Sequence, residues 1–344
     1  MRIAVVLFNL GGPSSLEAVE PFLFNLFNDP AIIQTAQPMR WALAKWISRQ
    51  RAPIAREIYA KMGGSSPILG QSYNQASALK SALANDDGDH FETFVAMRYT
   101  APRASDVVEQ VRRFRPNRIV LLPLYPQFST TTSRSSLREW HRLAREIKAP
   151  VATICCYPQD KGFVSAQADL IAESIAMLAP NVRFRLLFSA HGLPERIIAA
   201  GDPYQAQVEQ TAKALVEKLA RPQLDWRVCY QSRVGSLKWI GPATDDEIKR
   251  AGAEGLAIVI APIAFVSEHA ETLVELDIDY AKLAAEGGVM NYIRVPAVGT
   301  HPSFIEGLAN IVKAALGREG ITPGGGTRTC PAPCRQCPLE RKAA

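Results

Sequence analysis

The chain has 344 residues, 47% apolar and 21% charged, with 39 basic against 33 acidic side chains and a net charge of +6. At about 150 residues per domain this length predicts two domains with full cores, and the composition excludes a disordered, collagen-like or small disulfide-stapled chain. The longest nearly unbroken apolar run, residues 256–266, is far short of the roughly 18 residues of a membrane span and is interrupted by Pro262.

Residues 3–8 follow Met1 and Arg2 with no small-residue cleavage site, so they read as a buried first strand and the protein is expected in the cytoplasm. Further apolar, β-branched runs predict strands at 91–98, 118–125, 151–157, 182–190, 224–231, 256–263 and 291–296, with helical patterns between them. Most of these runs are apolar on both faces, as in parallel strands covered by helices, so the class is α/β. The four later strands echo the four earlier ones. Phe8-Asn9-Leu10-Gly11-Gly12-Pro13 is mirrored by Phe188-Ser189-Ala190-His191-Gly192-Leu193-Pro194, and the first half carries an insertion at about residues 20–81. The expected organisation is an N-terminal lobe over 1–158, a C-terminal lobe over 159–304, and a C-terminal helix with a cysteine-rich tail over 305–344. Each lobe is expected to hold a four-stranded parallel sheet. The insertion interleaves Phe24, Trp41 and Trp46 with Arg40, Lys45, Arg49 and Arg51, which fits either helices packed on their own domain or an apolar lip against a cleft or membrane.

Ligands in open parallel sheets bind beyond the carboxyl ends of the strands. The loops there carry Leu10, Arg98-Tyr99, Tyr125, His191, Ser232-Arg233 and Ser267-Glu268-His269. Two lobes presenting these loops to one another would frame one cleft. His191, between a strand end and Gly192, has the pKa range of a general base at neutral pH, although a structural histidine could occupy the same place. In the helix that follows residue 267, Glu271, Glu275 and Asp279 recur every four residues and stack along one face. Either a solvated acidic face or a chain of oxygen ligands for a divalent ion answers to that pattern.

The basic excess, with a sequence pI of about 9.0, is not gathered into a Lys/Arg tract and suits anionic small molecules or lipid surfaces better than nucleic acid. Of the six cysteines, Cys330, Cys334 and Cys337 cluster beyond a Gly-rich linker and Cys155 and Cys156 are adjacent. In a reducing compartment such clustering points to metal ligation before disulfides, and four thiolates hold zinc or a [2Fe–2S] centre. Adjacent strand residues face opposite ways, so only one of Cys155 and Cys156 is expected to ligate. A tail without any metal is the alternative. Cys229, inside a strand, reads as a small buried hydrophobe.

Eight segments in chain order resemble ferrochelatase: Leu10-Gly11-Gly12-Pro13, Ser66-Pro67-Ile68, Met97-Arg98-Tyr99, Leu124-Tyr125-Pro126-Gln127-Phe128-Ser129, Ser189-Ala190-His191-Gly192-Leu193-Pro194, Gln231-Ser232-Arg233-Val234-Gly235, Trp239-Ile240-Gly241-Pro242 and Ser267-Glu268-His269-Ala270-Glu271-Thr272-Leu273. The resemblance implies two Rossmann-like lobes and a lyase that inserts ferrous iron into protoporphyrin IX to make protohaem, the last step of haem biosynthesis. It implies that His191 and Glu271 handle protons and the substrate iron, with either as proton acceptor, and that Glu275 and Asp279 continue an acidic metal path. Leu10, Tyr125 and Trp239 match porphyrin-lining positions, Arg98 and Tyr99 match pocket positions on the metal side, and Ser66 falls near the propionates. Leu10 stands where some members carry methionine.

Some ferrochelatases hold a C-terminal [2Fe–2S] cluster, which the resemblance favours for Cys330, Cys334 and Cys337. Thr130 stands where the animal pattern has the remaining cysteine, so Cys156, with Cys155 as the alternative, is expected to complete the set. Protoporphyrin or coproporphyrin as substrate, cobalt or nickel chelation into a more acidic tetrapyrrole, and a non-enzymatic haem carrier are the competing readings. The carrier has no use for stacked carboxylates. The expected partners are porphyrin and Fe2+, with no nucleic acid, peripheral contact with the inner face of the membrane, and a monomer or homodimer.

Overall fold

Residues 3–8 form the middle of β1 (Arg2–Asn9), and none of the six is more than 2% exposed. Buried side chains of this size stabilise a fold by about 1.5–3 kcal/mol each. The computed structural model describes residues 1–84, 88–235 and 237–339, and these fall into two units. The first comprises Met1–Cys156 with Ala309–Gly324 and the second Tyr157–Leu308 with Gly325–Ala344.

In the first unit, α1 (Val19–Phe27), α2 (Gln37–Ala60) and α3 (Ile68–Leu83) fill the insertion between β1 and β2 (His90–Met97). After β2 come α4 (Ala104–Phe114), β3 (Arg118–Pro123), α5 (Ser133–Leu143) and β4 (Val151–Ile154). All pairings are parallel, with β1 central between β2 and β3. The loop after β1 lies against two neighbours. Gly11, at φ +85°, abuts Thr100 Oγ1, and a Cβ on Gly12 would lie 2.5 Å from that of Ser66. Only glycine allows this approach, which sets Leu10 beside Arg98-Tyr99 and Ser66.

The second unit runs α6 (Lys161–Ala176), β5 (Phe184–His191), α7 (Glu195–Ala199), α8 (Tyr204–Leu219), β6 (Trp226–Gln231), α9 (Thr244–Ala253) and β7 (Ala257–Pro262). A π-helix (Glu271–Tyr280) continues into α10 (Ala281–Glu286) and β8 (Tyr292–Arg294). The sheet order is β6-β5-β7-β8, again parallel throughout.

After α11 (Pro302–Ala315), β9 (Gly320–Thr322) pairs in parallel with β4, so the first sheet has five strands where four were expected. The expected C-terminal piece over 305–344 is therefore divided between the two units. β4 also stops at Ile154, earlier than the expected 157, and Cys155 and Cys156 lie beyond it. Their sulfurs are 3.3 Å apart, which corrects the expectation of opposite facing: strand alternation does not apply past the strand's end.

Candidate active site

β5 is buried from Arg185 to Ala190 and ends on His191, whose imidazole is 38% exposed. Gly192 follows at the turn. A Cβ there would stand 3.0 Å from the Gln231 carbonyl and 3.4 Å from Trp239 Cε3, so the missing side chain lets the Trp239 ring lie against Gly192, the residue after His191. Trp239 is fixed by its Nε1, which donates to the Val234 carbonyl at 3.2 Å, and by bridge pairing with Pro194.

His191 Nδ1 lies 2.7 Å from Glu271 Oε2, in the first turn of the π-helix. Burial alone would raise the Glu271 carboxyl. The charge and hydrogen bond of His191, with His269 and Ser232 assisting, reverse this and lower it to about 2. Glu271 is thus an acceptor at neutral pH, so Nδ1 donates and the lone pair of the neutral ring resides on Nε2. Burial likewise depresses His191, but the charge and hydrogen bond of Glu271 and the charge of Glu275 raise it above the usual 6.5. His269, whose ring packs at a tilt against Phe265 with centroids 4.5 Å apart, has its Nδ1 3.1 Å from the Ser267 carbonyl. Burial lowers its pKa against the opposing charge of Glu271, keeping it neutral at pH 7.

The expected run of three equivalent carboxylates is not what the helix presents. Glu275 accepts from Ser232 N (2.7 Å) and Tyr280 Oη (3.1 Å) on Oε1, and from Ser232 Oγ (2.5 Å) and Gln231 Nε2 (3.1 Å) on Oε2. Burial and the Glu271 charge raise its pKa, against the hydrogen bonds from Ser232 and Gln231. Asp279 is exposed. The π-helical winding, with i→i+5 bonding, replaces the α-helical spacing on which the row was drawn. Ser232 and His269, named among the strand-end loops but given no role there, belong to this constellation, and so do Gln231 and Tyr280. The signals available were that Gln231-Ser232 ends a strand and that both loops lie in segments resembling the family.

In the first unit, Leu10, Ser66, Arg98, Tyr99 and Tyr125 gather around the ends of β1, β2 and β3. The Arg98 guanidinium binds Asp29 Oδ2 at 2.6 Å, Glu139 Oε2 at 3.0 Å and Ser135 Oγ at 2.7 Å. Tyr99, only 1% exposed, donates to Asp29 Oδ2 at 2.9 Å. These two are therefore held from behind the loop, with Tyr99 turned into the core. Tyr125 lies past β3; burial, eased by Ser136 and Arg98, pushes its phenol up.

The tail is anchored on the second unit. Gln336 N donates to the Gly201 carbonyl at 2.9 Å, Gln210 Nε2 to the Thr329 carbonyl at 2.8 Å, and the buried Gln207 Nε2 to Cys330 Sγ at 3.1 Å. Cys334 and Cys337 are buried at 6% and 1% exposure, as suits thiolate ligands. Among the described residues, however, no three His, Cys, Asp or Glu side chains converge on a common metal position. Cys229 is fully buried, which pushes its thiol up to about 12.

The family model described as Ferrochelatase matches residues 2–316. The chain belongs to the ferrochelatase family. A Ferrochelatase of Caulobacter vibrioides is 51% identical over 345 residues, covering 100% of this chain and 99% of that protein. One from Phenylobacterium zucineum is 52% identical over 341 residues, covering 98% of each. Among solved structures, SirB from Bacillus subtilis with Fe3+ superposes with a TM-score of 0.54 at 15% identity, over 92% of this chain and 96% of that one. That likeness concerns the fold alone. No helix among the described residues is long and apolar enough to cross a membrane.

Proposed function

We propose that this ferrochelatase family member inserts ferrous iron into protoporphyrin IX, with His191 as the group that takes the pyrrole protons. The observation that carries the reading is the 2.7 Å bond from His191 Nδ1 to Glu271, which commits one ring nitrogen to orientation and leaves Nε2 as acceptor. Metallation must remove two pyrrole N–H protons. A neutral imidazole held by a carboxylate accepts one proton while the carboxylate stabilises the imidazolium that forms, then releases it to solvent from its exposed side and takes the second. Glu271 is then the orienting group and a contact for the incoming iron. Asp279, and Glu275 more weakly because four donors already hold it, add negative charge on the same helix and draw the cation toward His191. Leu10, Tyr125 and Trp239 supply apolar and aromatic surface for the ring, Arg98 and Tyr99 stiffen the wall on the metal side, and Ser66 faces the propionates. Steady-state metalloporphyrin formation tests this: Fe2+ with protoporphyrin should turn over faster than Fe2+ with coproporphyrin, and faster than Co2+ or Ni2+ with a more acidic tetrapyrrole. Preference for either of the latter pairs overturns the assignment.

Cys156, Cys330, Cys334 and Cys337 are proposed to hold a [2Fe–2S] centre, supported by the burial of Cys156, Cys334 and Cys337 and the Gln207 N–H directed at the sulfur of the half-buried Cys330. When bound, such a centre ties the tail into the fold through metal–thiolate bonds. Purified protein should carry about two irons and two sulfides per chain and lose its colour when any of the four is changed to Ser. Zinc in place of iron would refute it, and so would loss of colour in Cys155→Ser but not Cys156→Ser. A cytoplasmic, peripherally membrane-bound enzyme fits the exposure of Trp41 (52%) and Trp46 (63%) on α2, among Arg49 and Arg51. Co-sedimentation with anionic liposomes should fall when both tryptophans become Ser; no sedimentation by the parent rejects it.

A further inference from the structure

We propose that Glu275 and the Gln231–Ser232 corner form a latch that holds the π-helix, and with it Glu271, in register with His191. Ser232 is then a positioning residue for the proton-taking pair, and Glu275 is a fastening carboxylate in place of an open metal ligand. The catalytic consequence rests on the chelation reading above; the latch itself rests on geometry.

A carboxylate offers about four lone-pair sites. All four on Glu275 are engaged, by Ser232 N, Ser232 Oγ, Gln231 Nε2 and Tyr280 Oη. A cation ligated there must first displace one of these donors. Ser232 adopts φ +62°, a left-handed conformation that costs energy in a residue other than glycine and persists where its surroundings dictate it. In that conformation its N–H and its hydroxyl address the same carboxylate. The hydroxyl has one proton. It is shared between Glu275 Oε2 at 2.5 Å and Glu271 Oε2 at 3.1 Å, so one hydroxyl ties the fastening carboxylate to the one that orients His191.

The corner is itself fixed to the strand that carries the base. Ser189 of β5, two residues before His191, donates to Gln231 Oε1 at 2.7 Å, and Gln231 Nε2 also reaches the Glu271 carbonyl at 3.1 Å. The far side of the π-helix is held separately. Tyr292 Oη donates to the Leu276 carbonyl at 2.8 Å, and Arg294 binds Asp277 at 2.7 and 2.6 Å. The helix is thus pinned from two strands, and of these two it is the β6 side that reaches the carboxylate that orients His191.

Hydrogen exchange on the full chain tests the latch without reference to activity. In Ser232→Ala, amides of residues 271–280 should exchange about tenfold faster or more, the loss expected for a hydrogen bond to a charged group, while β5 amides keep their parent rates. Unchanged exchange across 271–280 overturns the latch. In the enzyme assay, Ser232→Ala and Glu275→Ala should each lower kcat at saturating Fe2+ with little change in KM for iron. The double variant should be no worse than the poorer single one, because both remove the same bond. If Glu275→Ala instead raises the iron KM at unchanged kcat while Ser232→Ala is silent, Glu275 is a metal ligand and the proposal fails. Should Ser232→Ala fail to fold, Glu275→Ala provides the same two readouts. Failure of the parent chain to metallate any porphyrin would sink the chelation reading and leave the exchange experiment to decide the latch alone.

Discussion

Two charged clusters occupy similar places in the two units, each beyond the carboxyl end of a parallel strand, and they differ in what they leave open. After β2, the cation of Arg98 is closed off by Asp29, Glu139 and Ser135, and Asp29 in turn accepts from Tyr99 and Ser135. After β5, His191 is bound among the described residues at one nitrogen only, and its imidazole remains 38% exposed. The first cluster is balanced internally and acts as a clamp. The second keeps one lone pair outward, as a proton acceptor requires. The contrast shows that a strand end supplies position, while the number of partners decides between scaffold and chemistry.

The contrast can be broken most forcefully at His191. His191→Ala should lower metallation by about 10²–10⁴-fold, the usual contribution of a positioned base, with porphyrin binding by fluorescence titration nearly intact. Activity within a few-fold of the parent would show the outward nitrogen to be idle. Glu271→Gln should fall by a similar order, because the amide cannot hold Nδ1–H as the carboxylate does; porphyrin affinity again serves as the control. Asp29→Ala should act on the other side of the comparison, costing about 1.5–3 kcal/mol in denaturant unfolding because it removes one ion pair of Arg98 and leaves the buried Tyr99 hydroxyl without its acceptor. A loss below about 1 kcal/mol would mean that the first cluster is not a clamp.

Titration sharpens the same contrast. Because the His191 pKa is raised, the neutral base is populated only above it, and kcat/KM should climb with pH through a midpoint above 6.5. Glu271 is depressed, so the stability it contributes is complete above its ordinary 4.5 and is lost as pH falls toward about 2. The stability advantage of the parent over Glu271→Gln should shrink across that window, read by chemical denaturation at each pH. The smallest effect is expected at the exposed Asp279: Asp279→Asn should raise the iron KM by less than about threefold at low salt and not at all at high salt. A larger rise that survives salt would make it a ligand.

Eight strands were legible because their apolar, β-branched runs stand out from the helical patterns between them, and β1, β3, β5 and β7 are buried on both faces. β9 was not. Three residues beginning with Gly320 carry no pattern, and only pairing with β4 makes them a strand. The association of His191 with Glu271 was available through the family motifs. The partners of Glu275 were not, since helical spacing was taken at the α-helical value and the donors come from the end of another strand.

Residue order alone determines whatever depends on local pattern: the α/β class, the duplicated halves, the insertion before β2, and the placing of His191 and Glu271 where a strand ends and a helix begins. The folded chain had to decide whatever depends on which groups meet at distance. It decided that Cys155 and Cys156 bring their sulfurs together beyond a shortened strand. It decided that Tyr99 turns inward to Asp29, and that the acidic helix winds as a π-helix held through Glu275. The physical reason is the same in each case. A hydrogen bond or ion pair forms wherever a buried donor finds an acceptor, and its partner is set by packing across strands and helices far apart in the chain, which no local periodicity encodes.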